Sequence, residues 1–130
     1  MRAAQKPYAA EVIADFTPEG GARATRVLLD SPDPPDAIFF DNDLMAIAGM
    51  ATAVARGYRV PSDLAVVGFD DIPMAAHVIP TLSSVASDTR DLGRVAALTL
   101  LDLVDGGDPP RRVLLKSGLV VRKSSRKTTR

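Results

Sequence analysis

The sequence predicts an α/β fold with an open doubly wound parallel sheet. Three observations carry that reading. The short runs "AIFF" (37–40) and "LAVVGF" (64–69) are apolar without alternation, as in strands buried on both faces. Segments of helical periodicity stand between them. Proline- and glycine-rich stretches such as "SPDPPD" (31–36) and "RVPSD" mark the places where one period gives way to the other.

The elements follow in order. "EVIAD" (11–15) reads as a short buried strand. A helix begins after it, with Thr17 as N-cap, Pro18 at the first helical position and Glu19 in the first turn. "SPDPPD" stops that helix, because proline lacks an N–H and its ring clashes with the preceding turn. "AIFF" is the second strand, and a helix from about Asp43 to Arg56 follows, with Gly57 where a left-handed residue ends helices. "LAVVGF" is the third strand and "DDIPMAAHVIP" (70–80) a short irregular or helical connection. "TLSSV" (81–85) is a fourth, more polar strand. Asp88 caps a helix that Gly106 and Gly107 end, and "RRVLLKSGLVV" (111–121) is a final strand or hairpin.

At 130 residues the chain suits one domain, and 46% hydrophobic with 25% charged residues is an ordinary globular composition. Cysteine is absent, which removes disulfides and thiolate chemistry. No apolar run reaches the ~18 residues that a membrane span needs. "MRAAQKPYAAEVIADF" has no apolar core of a signal peptide, so a cytoplasmic location without membrane contact is expected. The formal charge is zero but uneven, since "RKSSRKTTR" (122–130) is basic and the rest is acidic. That stretch is expected to be a disordered, solvated tail.

In an open parallel sheet, ligands bind beyond the carboxyl ends of the strands. The first three strands end in Asp15–Phe16, Asp41–Asn42 and Asp70–Asp71, so polar groups gather on one rim. A carboxylate accepts hydrogen bonds from adjacent hydroxyls, an Asn amide both donates and accepts, and a flat ring covers the apolar face of a sugar or base. Each residue also has a plainer role. Asp43 is the expected cap of the next helix, Asp15 can bond a nearby loop N–H, Asp41 can support its loop, and Phe16 can staple its own helix. Asn42 and Asp70 have no evident capping duty. Strand-end carboxylates can also hold Mg²⁺, but no lysine follows a late strand as such chemistry favours. His77 is the only histidine, and no serine motif or glycine-rich nucleotide loop accompanies it. Neither an enzyme nor a cofactor is expected.

The assembled stretches resemble the lactose-repressor/galactose-repressor family of bacterial transcription regulators. "DFTPEGGARATRVLL", "PDAIFFDNDLMAIAGM", "RGYRVPSDLAVVGFDDIPMAAHVIPTLSSV", "DLGRVAALTLLDLVDGG" and "RRVLLKSGLVVRKS" carry the resemblance over nearly the whole chain. It implies a type I periplasmic-binding-protein-like fold, of which the chain is the carboxyl-terminal subdomain. It also implies a sugar or similar effector, held between two subdomains, that alters how a helix-turn-helix grips DNA. By resemblance Phe16 stacks on the effector, and Asn42 and Asp70 contact it. Asp15 stands beside Phe16, and Ser87 falls where the family often has a Gln. Residues 1–121 are then the carboxyl part of the effector-binding domain, and about 86–121 cross to a missing subdomain. DNA contact belongs to a helix-turn-helix that the chain lacks. The competing readings are a periplasmic sugar-binding protein and a metal-dependent enzyme using the Asp cluster.

Two apolar surfaces complete the expectations. From Leu44 to Ala55 no residue is charged, so the sheet can take one face and a second copy another, through Leu44, Ile47, Met50, Ala51 and Val54. The family resemblance implies a homodimer through the same region. The helix at about 89–105 carries Leu92, Val95, Ala96, Thr99, Leu100 and Leu103 at helical spacing. Its stripe is expected to dock on a second copy or to fold back over the sheet.

Overall fold

The computed structural model describes residues 10–126. Four strands form one sheet in the order β1 (Ala37–Phe39), β2 (Ala65–Asp70), β3 (Ser83–Ala86), β4 (Gly118–Val120). β1, β2 and β3 are parallel, and β4 runs antiparallel along β3. The chain also forms α1 (Pro18–Leu29), α2 (Asp43–Ala55) and α3 (Thr89–Val104), with a short 3-10 turn over Pro73–Ala76. The open α/β sheet is therefore present, with an antiparallel edge.

Thr17 caps α1 by accepting from the Gly20 N–H at 3.0 Å, and Pro18 occupies the first turn, where its missing N–H costs nothing. α1 lies against α2 at close range. A Cβ on Gly21 would stand 2.5 Å from the Met45 carbonyl oxygen, and one on Gly49 would stand 2.6 Å from Thr25 Oγ1. The two glycines thus permit an approach that alanine would not. Leu28, Leu29, Ile38, Phe40, Met45, Met50, Leu64, Val66 and Leu82 form the core below them.

This packing corrects one interface residue. Met50 is only 3% exposed and belongs to the core, so it cannot face a second copy. The all-apolar α2 is explained largely within the chain, because the sheet takes one side and α1 another. A third stripe is left, in which Leu44, Ala51 and Val54 are exposed and Ile47 half-buried.

"EVIAD" forms no strand. Val12 and Ala14 pack on the core edge while Glu11, Ile13 and Asp15 face outward, and a cavity separates the segment from β1. Burial alternates along it as in an extended chain, but the segment does not join the sheet edge beside it.

The supposed tail is also corrected, as far as Arg126. Ser124 is fully buried. Its hydroxyl donates to the Val66 carbonyl (2.6 Å) and accepts from the Ser83 N–H (2.8 Å). Its main chain takes the Val66 N–H and donates to the Thr81 carbonyl, both at 2.9 Å. The β2–β3 pairing starts only at Val67 and Ser83, and Ser124 wedges into the gap before it. Basic residues 122, 123 and 126 flank a serine small enough to enter the sheet, which a charge count does not detect. Residues 127–130 lie outside the described residues.

α3 does not fold back over the sheet. None of its residues is buried, and Leu92, Leu98, Leu100, Leu101, Leu103 and Val104 are exposed. Its stripe faces Pro110, Val113 and Leu115 across an open groove. On the sheet, Ile38, Val66 and Gly68 point to the helices, whereas Phe39 and Leu119 are exposed on the opposite face, with Val67 and Val85 half-buried beside them.

Candidate effector-binding rim

The carboxyl ends of β1, β2 and β3 lie side by side because the strands are parallel. They bring Asp41–Asn42, Asp70–Asp71 and Ser87 to one edge in that order. Two strand spacings are about 10 Å, the width of one or two sugar rings.

Phe16 joins this edge through Asn42, whose Nδ2 donates to the Phe16 carbonyl at 3.1 Å. Phe16 is 64% exposed. Its backbone is left-handed (φ 59), as are Asp70 (φ 103) and Asp71 (φ 52). Side chains rarely adopt that region, which costs of order 1–3 kcal/mol per residue and concentrates at functional sites. Three such residues at one rim, none of them glycine, set it apart from an ordinary strand-to-helix junction.

The polar residues have structural duties as well. Asn42, not Asp43, caps α2, its Oδ1 accepting from the Met45 N–H at 2.8 Å. Asp43 is fully buried one residue later, where it accepts from the Ile72 N–H (2.8 Å) and the Ser84 hydroxyl (2.6 Å). The cap expected at Asp43 thus belongs to its neighbour. Asp15 accepts from Thr17 Oγ1 (2.6 Å) and Arg23 (2.7 Å). The Thr17 hydroxyl and then Arg23 hold its carboxyl down to about 2, below the ordinary 3.8. Asp15 therefore braces the start of α1. Asp70 goes the other way: partial burial first, then the negative Asp43, push its carboxyl up. Asp71 is paired with Arg122 at 2.6 Å.

A cavity of about 900 Å³ opens between residues 10–14 and the uncovered sheet face. Its walls include Phe39, Val67, Val85 and Leu119, and it meets the rim at Phe16 and Asp41. Asn42, Asp70 and Ser87 do not line it. The cavity is mostly apolar, whereas hydroxyl recognition needs the polar rim, so the rim is the better candidate. Among the described residues, no three His, Cys, Asp or Glu side chains are grouped to hold a metal ion.

Residues 1–125 match the model of the periplasmic binding protein-like domain. The chain belongs to that family. It is 39% identical over 115 residues to the HTH-type transcriptional repressor CytR of Escherichia coli, covering 86% of this chain and 33% of CytR. A solved complex of the transcriptional regulator CelR with cellobiose superposes with a TM-score of 0.80 at 43% identity, over 86% of this chain and 35% of that one. A LacI family regulator from Arthrobacter sp. FB24, in complex with lactose, gives 0.75 at 35% identity, over 88% and 44%. The LacI-family resemblance is thus supported by relatives and solved structures alike. The chain spans about a third of the curated relatives it matches. Among the described residues no helix is long and apolar enough to cross a membrane.

The sequence identified the rim but missed Arg122, Ser84 and Ser124. The signal for the first was "VVRKSS", an arginine directly after an apolar strand, which is an unusual start for a solvated tail.

Proposed function

We propose that this chain is the effector-binding and self-association module of a bacterial transcriptional repressor, and that it binds a sugar at the rim without catalysing a reaction. The carrying observation is that Phe16, held through its carbonyl by Asn42, and Asp70, both left-handed, reach one edge with Asn42. The ring offers a stacking face, Asn42 a neutral donor, and Asp70 a charged acceptor for paired hydroxyls. The cellobiose and lactose held by two structural neighbours support a carbohydrate. Asp41, Asp15 and Ser87 are peripheral in this reading, Asp15 because Thr17 and Arg23 already engage it.

Residues 87–117 leave the sheet after β3 and return at β4, and we assign that excursion to a second subdomain that closes over the sugar. Operator DNA would be gripped by a helix-turn-helix outside these 130 residues. Self-association uses the stripe of exposed Leu44, Ala51 and Val54 with half-buried Ile47. Repressor names among the relatives favour this over a periplasmic carrier or a metal enzyme.

The test is titration of the ¹⁵N-labelled chain with cellobiose and lactose. One of them should shift the amides of Phe16, Asn42 and Asp70 at millimolar concentration, because half a cleft excludes water poorly. Asp70→Ala should weaken binding at least tenfold, since a charge-assisted bond contributes roughly 1.5–3 kcal/mol. Sugar-induced shifts confined to the apolar cavity, or unchanged by Asp70→Ala and Phe16→Ala, would refute the assignment.

A further inference from the structure

We infer that Arg122 and the buried pair Asp43–Ser84 are positioning residues of the rim: together they hold the Asp70–Asp71 corner in the pose that presents Asp70. The inference deepens the effector reading and rests on it for its meaning, though not for its test.

The corner has two consecutive left-handed residues, so it needs external support. Two sets of contacts supply it. The first is a directional relay. The Asp71 N–H donates to Ser84 Oγ (3.0 Å), and the Ser84 hydroxyl donates to Asp43 Oδ1 (2.6 Å). The other oxygen of Asp43 takes the next N–H, that of Ile72 (2.8 Å). A buried carboxylate suits this place because both of its oxygens accept. It turns the serine proton toward itself and frees the serine lone pair for Asp71. Consecutive N–H groups are thereby fixed after Asp70. Gly68 makes room for the carboxylate, since a Cβ there would lie 2.2 Å from Asp43 Oδ1.

The second is an ion pair from a distant part of the chain. Arg122 donates to Asp71 Oδ1 (2.6 Å) and to the Leu82 carbonyl (2.8 Å), while its own N–H donates to Ser83 Oγ (2.7 Å). Both side chains are sheltered, at 20% and 22% exposure, so water screens this pair less than an open surface pair. Arg122 lies two residues beyond β4, where the chain returns from residues 87–117. The rim is therefore tied to the seating of the returning strand. A shift of that strand moves Arg122, and releasing Asp71 lets the corner relax and Asp70 turn away.

NMR on the 130-residue chain tests this without any sugar. One-bond Cα–Hα couplings report positive φ at Asp70 and Asp71, and carboxyl-carbon titration follows Asp70. Arg122→Gln and Asp71→Asn should each remove the positive-φ signature from Asp70. Each should also bring the Asp70 midpoint down toward the ordinary carboxylate value, as the side chain leaves Asp43 for water. Arg122→Lys should restore much of both signals. Asp71→Asn keeps the size and the left-handed tolerance of the residue, so it decides the question if Arg122→Gln unfolds. Folded Asp71→Asn with unchanged couplings and an unchanged Asp70 titration overturns the inference. A cellobiose titration is run on the same samples. If the parent responds and the variants respond at least tenfold more weakly, the clamp serves recognition. If the parent ignores the sugar, the effector assignment for cellobiose fails while the couplings still decide the clamp.

Discussion

Replacing Ser124 by alanine isolates the wedge between β2 and β3. The change removes one oxygen and leaves Val66 C=O and Ser83 N–H without the hydroxyl that now bridges them. Both lie around a residue with no exposed surface, so water cannot enter without opening the sheet. A buried main-chain group left unsatisfied costs about 1–3 kcal/mol. Two such groups make about 2–6 kcal/mol, with the upper half reached only if neither finds a new partner. For a chain of this size that corresponds to a fall in Tm of about 8–24 °C.

The assay is urea unfolding followed by far-UV circular dichroism, with Lys123→Ala as control. The Lys123 side chain is exposed, and removing it should change stability by less than about 0.5 kcal/mol. A chain ending at Val121 should lose more than Ser124→Ala, because it also forfeits the main-chain bonds of Ser124 and the Arg122–Asp71 pair. If Ser124→Ala stays within 0.5 kcal/mol of the parent with the same urea slope, the wedge is not a structural element, and residues 122–126 revert to a tail.

Gly68→Ala should destabilise by roughly 1–3 kcal/mol, the usual range for overpacking, and nuclear Overhauser contacts should show Ile72 displaced, because the new methyl collides with Asp43. Leu44→Asp and Val54→Asp should yield monomers in sedimentation velocity without loss of helix, whereas Met50→Asp should unfold the chain, since it places a charge in the core. Two variants that sediment like the parent would remove α2 from the interface. Asp15 has a lowered folded pKa, so its contribution to stability is present above its unfolded value near 3.8 and is lost as pH falls toward 2. Asp15→Asn should flatten the acid limb of the stability curve in that window and leave the curve near pH 7 with little further slope. An unchanged acid limb would show that Thr17 and Arg23 do not hold the carboxylate.

Much of the fold was legible because its signals are local. Thr17 with Pro18, Gly57 at φ 87 and the apolar runs of β1 and β2 act within a few residues of themselves. The failures share the opposite property. "EVIAD" has strand composition, but a strand also needs a partner edge, and composition cannot say whether one is in reach. Met50 was misassigned because α2 is apolar all round, so periodicity could not tell the α1 side from the open side. What decides it is the close approach at Gly21 and Gly49, a contact between two segments. Ser124 and Arg122 act some forty residues away in sequence, on Ser83 and Leu82, and read locally as part of a basic run.

The rim was legible for a geometric reason: parallel strands deliver their carboxyl ends to one edge whatever the details of the loops. Its backbone was not legible, since Phe gives no sign of positive φ and Asp tolerates it without requiring it. Asn42 shows how the two levels combine. Read from sequence, Asn42 had only a ligand to contact, and capping α2 fell to Asp43. In the structure the cap fixes Oδ1 on the Met45 N–H, and that bond orients Nδ2 toward the Phe16 carbonyl. An amide carries two N–H groups, so one can hold the aromatic corner while the other serves a ligand hydroxyl. The structural duty is then what makes the proposed recognition group rigid. Asn42→Asp keeps an oxygen for the cap but sets a carboxylate against the Phe16 carbonyl. On this reasoning it spares α2 and disorders the Phe16 corner, whereas Asn42→Ala harms both.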